Sequence, residues 1–311
     1  MPQHEVAPWG SPDVSSDVSS DAIAAAWNAH PVGDDFMPPA EWRERFLAYD
    51  AYKYAHEPHI LDELSKLDVR GKRVLEIGLG QGAESQKLIE AGAVYTGIDF
   101  TPESVERVRR RCGIFGLPFE RIEQMNAEVL SLPDGSFDMV FSHGVIHHSP
   151  RFRAIVGHIH RVLRPGGRAV VMVYHRNSLN YHVSIRVLRR MGIALLFVPG
   201  AAGLVSRLTH EPVARLLKHR ANLRAEGLSY LKMDRFIHRA TDGPDNVFST
   251  VFTERELREL FSKFSDVTVT RHLLNERHFP LLRNLLTPAA KRRLAAKYGW
   301  HLWITATKGG A

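Results

Sequence analysis

This sequence predicts an α/β fold on a mainly parallel sheet, and three observations predict it. Short apolar and β-branched runs alternate with helix-like segments of about three turns between residues 73 and 175. The first run ends in a glycine-rich turn that leads directly into a helix. The second run closes on a carboxylate, Asp99, 21 residues after the first glycine of that turn.

The elements follow in order. Residues 73–77 (RVLEI) read as a buried strand and 83–91 as a helix. A strand at 94–98 precedes a helix at 102–112 with Thr101 as its cap. Strands are expected at 121–125 and 137–142. A helix over 152–163 stops at Arg164-Pro165-Gly166-Gly167, and 169–174 (AVVMVY) is a fifth strand. Residues 176–250 then interrupt the rhythm with a helical, basic insertion. Its uncharged run, 191–206, is broken by Pro199 and Gly200 and is short for a membrane span of roughly 20 residues. A cap over the sheet is expected there, and no transmembrane segment. A helix at 253–264, a strand at 267–270, a helical stretch around 288–298 and a strand at 300–307 complete the pattern.

Upstream, residues 1–20 are poor in large apolar side chains and repeat Asp-Val-Ser-Ser from positions 13 and 17, which reads as a mobile tail. Ser20 or Asp21 caps the first helix of a lid segment over 21–70. The expected organisation is therefore a tail (1–20), a helical lid (21–70), a cofactor core (71–175), a basic cap on the acceptor side (176–250) and a completion of the sheet (251–311).

Composition agrees with a soluble globular chain: 44% hydrophobic and 24% charged residues over 311 positions. The net charge of +7 is uneven, about −8 over residues 1–70, −3 over 71–150 and +18 over 151–311. Attraction to anionic partners is therefore expected from the C-terminal half. Cys112 is the only cysteine, which excludes an intramolecular disulfide. No basic stretch followed by an apolar one opens the chain, and a cytoplasmic location is expected.

The chemistry centres on Val74-Leu-Glu-Ile-Gly78-Leu-Gly80-Gln-Gly82. Glycines there let a ligand approach the backbone, and the N–H groups opening the next helix can meet its oxygens. Gly78, Gly80 and Ala83 also satisfy a dinucleotide fingerprint. Glu76 argues against a dinucleotide, since a carboxylate at that position would repel a pyrophosphate and attract an ammonium.

With these residues in place, the chain resembles the class I S-adenosylmethionine-dependent methyltransferases, in the bacterial small-molecule branch. Glu76–Gly82 is similar to their first motif and Asp99 to their acidic second motif. Met125-Asn126-Ala127-Glu128, with Leu132-Pro133-Asp134 and Ser136-Phe137-Asp138, resembles the third and fourth. Leu163-Arg-Pro-Gly-Gly167 resembles the turn before the fifth strand. Trp27-x-x-x-Pro31-x-Gly33 and Tyr54-x-x-Glu57-Pro58-x-Ile60 resemble a bacterial subgroup. The resemblance implies a seven-stranded, mainly parallel Rossmann-like sheet with helices on both faces and a helical cap insertion. It also implies S-adenosyl-L-methionine as cofactor. Glu76, Gly78, Gly80 and Gly82 would then hold the methionine end, Asp99 the ribose, and Asn126 and Ala127 the adenine. Phe100 would pack on the adenine, and Ser142 would close the site. Many relatives carry Asp at the position of Asn126.

A sulfonium makes its methyl group electrophilic, so the protein needs to align an acceptor and, for a hydroxyl or protonated amine, remove a proton. His143, His147 and His148, after the fourth strand, are candidate bases, with His147 first among them. No metal site is expected: the 17 histidines are dispersed, and His147 and His148 are adjacent rather than four apart. The expected reaction is methyl transfer to an O or N atom of a small or lipid-like acceptor, anionic if the basic insertion reads its charge. Two other activities fit parts of the sequence, RNA methylation through the basic C-terminal half and a nicotinamide-dependent oxidoreductase through the glycine turn. No nucleic-acid appendage and no N/D-P-P-Y/F/W turn is present, so no nucleic-acid partner is expected. The residues leave a homo-oligomer open.

Overall fold

The computed structural model describes residues 18–29, 33–34, 38–209, 211–274, 279 and 285–310. Most of the expected tail and Pro31 lie outside them. Five strands run parallel: β1 (Arg73–Ile77), β2 (Val94–Asp99), β3 (Arg121–Gln124), β4 (Phe137–His143) and β5 (Leu163–Tyr174). With β6 (Ser265–His272) and β7 (His301–Thr307) they form one sheet in the order β3-β2-β1-β4-β5-β7-β6. β7 runs antiparallel to both its neighbours. Its first residue, His301, therefore lies at the carboxyl edge of the parallel strands, paired with Tyr174 at the end of β5.

The strands alternate apolar side chains between two layers. Leu75, Ile77, Val140 and Val171 face α6 (Phe152–Val162) and α11 (Glu254–Leu260). Val74, Phe141, Val170 and Met172 face α3 (His59–Ser65), α4 (Ala83–Glu90) and α5 (Pro102–Phe115). Helices thus cover both faces, as expected. The turn expected at 164–167 is instead part of β5: Leu163 pairs with Phe137, and a register shift before the Met139–Arg168 pair absorbs the Pro-Gly-Gly stretch.

The insertion folds as a wide π-type helix (Asn180–Arg189) followed by α7 (Arg190–Ala194), α8 (Ala201–Thr209), α9 (Val213–Glu226) and α10 (Met233–Thr241). It packs around its own core of Ile185, Leu196, Leu223, Tyr230 and Phe236, with Trp300 bridging to the sheet. Arg186, Arg207, Lys218, Arg224, Lys232 and Arg235 are exposed, so much of its charge faces solvent. Among the described residues no helix is long and apolar enough to cross a membrane.

The lid segment forms α1 (Ser20–Ala29), α2 (Trp42–His56) and α3. Buried ions fasten α2 to the core. Arg111 of α5, 1% exposed, pairs with Asp50 of α2 and also donates to Gln86 Oε1 (2.8 Å) and the carbonyl of Gln81 (3.0 Å). Arg107 pairs with Asp34 and Glu103. Removing one partner of such a buried pair strands the other charge. Arg111→Leu is therefore expected to lower the unfolding free energy by about 3 to 5 kcal/mol, read as a lower urea midpoint.

Candidate active site

At the carboxyl edge the chain leaves β1 through Gly78-Leu79-Gly80-Gln81-Gly82 and enters α4. Gly78 has φ +83°, and a Cβ there would lie 2.1 Å from Val145 Cγ2. Gly82 precedes α4 with φ +76°, and a Cβ would lie 2.9 Å from Val108 Cγ2. Both positions demand glycine. From the end of β2, Asp99 Oδ2 accepts the Leu79 N–H at 2.7 Å, while Oδ1 accepts the N–H and hydroxyl of Thr101 at 2.8 and 2.7 Å. Burial raises the Asp99 pKa, and these hydrogen bonds oppose the rise.

Above this turn opens a cavity of about 1180 Å³. Ordinary ligand pockets span roughly 300–1,000 Å³, so it has room for a cofactor and an acceptor together. α1 closes one side, where Ser20 Oγ donates to Glu128 Oε2 (2.7 Å) and Trp27 meets the His148 ring edge-on at 5.0 Å. α2 and α3 form another wall with Tyr49, Lys53, Glu57 and His59.

Of the residues singled out from the sequence, Glu76, Gly78, Gly80, Asp99, Phe100, Asn126, Ala127, His143 and His148 line the cavity. Three do not. Gly82 sits behind the turn, and Ser142 is buried with its hydroxyl donating to the carbonyl of Ile77 at 3.0 Å. His147 is fully buried between His148 and Tyr174, with ring centroids at 4.2 and 4.0 Å, so its ring faces the core and not the cavity. It falls on the short helical turn Ile146–His148, which aims its side chain inward.

Other expected roles change in detail. Glu76 lies under the turn, where Oε2 accepts from Ser85 Oγ (2.6 Å) and Tyr95 OH (2.5 Å). Burial in an apolar layer pushes its pKa up to about 8, against the lowering effect of those two donors. Asn126 uses Oδ1 to accept the Glu128 N–H at 2.8 Å, capping the turn Ala127–Val129. His148 Nδ1 lies 3.0 Å from the carbonyl of Phe248, and its Nε2 lies 3.5 Å from Asp242 Oδ2. Tyr174 donates to the other oxygen of Asp242 at 2.8 Å.

Several cavity residues were not singled out. Lys53 forms an ion pair with Glu84 in the first turn of α4. Burial alone would depress the Lys53 pKa, and Glu84, Tyr49 and Glu57 reverse this and hold it well above the usual range. His301 Nδ1 lies 3.0 Å from His59 Nε2. The signal was present in His56-Glu57-Pro58-His59 and in a histidine opening an otherwise apolar strand. The insertion expected over the acceptor supplies only Asp242 to the lining, whereas the stretch around β6 and α12 (Pro288–Tyr298) supplies Arg271, Leu273, Leu274 and Arg292.

Residues 75–171 match the family described as "Methyltransferase domain". Over 105 residues the chain is 41% identical to the fatty-acid O-methyltransferase of Mycolicibacterium smegmatis, covering 33% of this chain and 37% of that protein. Over 107 residues it is 36% identical to the phosphatidylethanolamine N-methyltransferase of Cereibacter sphaeroides, covering 34% and 52%. The chain thus matches about a third to a half of the length of these relatives. A chain in the complex of the Haloferax volcanii Trm112 methyltransferase activator with a methyltransferase shares the fold, with TM-score 0.54 and 16% identity over 93% of this chain and 98% of that one. Residues 75–171 thus carry a methyltransferase-domain match on a sheet of the class I methyltransferase fold, and that match implies S-adenosylmethionine as cofactor.

The raised pKa of Glu76 has a thermodynamic consequence. The folded protein keeps a proton that the unfolded chain, with an ordinary value of 4.5, gives up. The stability this lends is fully present below about pH 4.5 and is lost as pH rises through about 8. Glu76→Gln is expected to remove that fall between pH 5 and 8, measured as the urea midpoint across the range.

Proposed function

We propose that this protein transfers a methyl group from S-adenosylmethionine to an oxygen or nitrogen atom of a small, lipid-like acceptor. The carrying observation is the Asp99 carboxylate braced against the glycine turn after β1, both of them lining a cavity with room for two molecules. The residues fit the cofactor. Gly78 and Gly80 receive its amino-acid end, Asp99 its ribose, and Phe100, Asn126 and Ala127 its adenine. Glu76, held by Ser85 and Tyr95, lines the cavity beneath the turn, and Ser142 holds the end of β1 behind it.

The cofactor supplies an electrophilic methyl group; the chain positions the acceptor and takes its proton. His148 is the base in this reading. Its Nδ1 is engaged by the carbonyl of Phe248, which leaves Nε2 on the cavity side, 3.5 Å from Asp242 Oδ2. Ile23, Trp27, Ile155, Leu273 and Leu274 give the cavity apolar walls. Two relatives are named for a fatty acid and for phosphatidylethanolamine, which supports a lipid-like acceptor.

Titration calorimetry with S-adenosylhomocysteine tests the cofactor site. Asp99→Ala is expected to weaken binding about 30-fold, near 2 kcal/mol; equal affinity in both proteins would remove the carrying observation. In a labelled-methyl assay over fatty acids and phospholipids, His148→Gln is expected to lower kcat about 100- to 10,000-fold while leaving cofactor affinity intact.

A further inference from the structure

Glu57, which ends α2, His143, the last residue of β4, and His301, the first of β7, meet on one wall of the cavity. A ligand atom from each lies within 4.8 Å of the other two. We propose that these three side chains form a divalent metal site of the zinc type, open toward the cavity, that holds an oxygen atom of the acceptor. The metal site stands on its own geometry; only its role toward the acceptor rests on the methyl-transfer reading.

Two imidazoles and one carboxylate are a donor set that zinc takes in sites that keep a position open for a substrate. The His143 side chain is 9% exposed, and its Nε2 is buried with no hydrogen-bond partner among the described residues. Such an orphan costs about 1 to 3 kcal/mol, and a cation in the cluster would satisfy it. His301 Nδ1 is engaged by His59, which orients the ring and leaves Nε2 as the ligand nitrogen. His59 is itself stacked on His272 at 5.1 Å, and His272 Nε2 lies 3.2 Å from Glu63 Oε1. An outer layer that fixes ring orientation is characteristic of metal-bound histidines. Burial, with Lys53 and neighbouring histidines, pushes His143 well below its usual pKa, and burial with His59 and His272 does the same for His301.

Lys53 stands nearby, in an ion pair with Glu84. With bonds of about 2.1 Å in a tetrahedral arrangement, ligand atoms sit roughly 3.4 Å apart. Binding therefore needs only a modest contraction of the cluster. The metal's role would be to hold a hydroxyl or carboxylate oxygen and lower its pKa.

The test is zinc titration of chelator-treated full-length protein by calorimetry, with cobalt(II) absorption as a second readout. The expected result is one ion per chain and an intense tetrahedral cobalt spectrum. His301→Ala and the near-isosteric Glu57→Gln should lose the spectrum, and His59→Ala should weaken zinc binding about 10- to 100-fold. The exposed His182→Ala should bind as wild type does. S-adenosylhomocysteine affinity, measured on the same samples, reports folding and the cofactor reading separately. Zinc binding absent from wild type, or unchanged in variants that still bind the nucleoside, would overturn the proposal.

Discussion

The cavity depends on one constraint: Asp99 must hold the turn after β1 against the end of β2. Its carboxylate accepts the N–H of Leu79 from the turn and the N–H and hydroxyl of Thr101, the residue that caps α5. Two adjacent parallel strands are thereby locked at their carboxyl ends, where open sheets bind ligands. Gly78 then allows the backbone to pass Val145 at a distance that any Cβ would close. A carboxylate buried for this purpose is costly alone and tolerable once hydrogen-bonded.

The same economy of paired charge seats the lid. Arg111 with Asp50 and Lys53 with Glu84 cross from α2 to α5 and α4. Single losses there should be expensive, because each leaves a lone ion with little water. These pairs also set the composition of the cavity wall, since the segment that carries Asp50 and Lys53 carries Glu57 and His59. Stability of the lid and chemistry of the site are thus written into one helix and its continuation.

Much of this was legible in the sequence. Near-continuous apolar runs marked β1, β2, β4 and β5, because strands buried on both faces leave few polar positions. The glycine turn and Asp99 were legible because their spacing follows directly from the length of one strand–helix–strand unit. Other features were hidden for physical reasons. His147 and His148 are neighbours in sequence yet point to core and cavity, and only the path of the turn Ile146–His148 decides which does which. Charge density over 186–239 carries no direction, so the sequence does not tell which of these cations face solvent, as Arg186, Arg207, Lys218, Arg224, Lys232 and Arg235 do. Glu57, His143 and His301 lie on three elements far apart in sequence, and no local spacing rule registers a cluster made by the reversal of β7.

The most direct measurement of the central claim is a crystal structure of the full chain with S-adenosylhomocysteine. The account predicts the ribose at Asp99, the amino-acid end over Gly78 and Gly80, and the sulfur facing the chamber that His148 lines. A nucleoside bound elsewhere, or a chamber filled by the protein's own side chains, would contradict it.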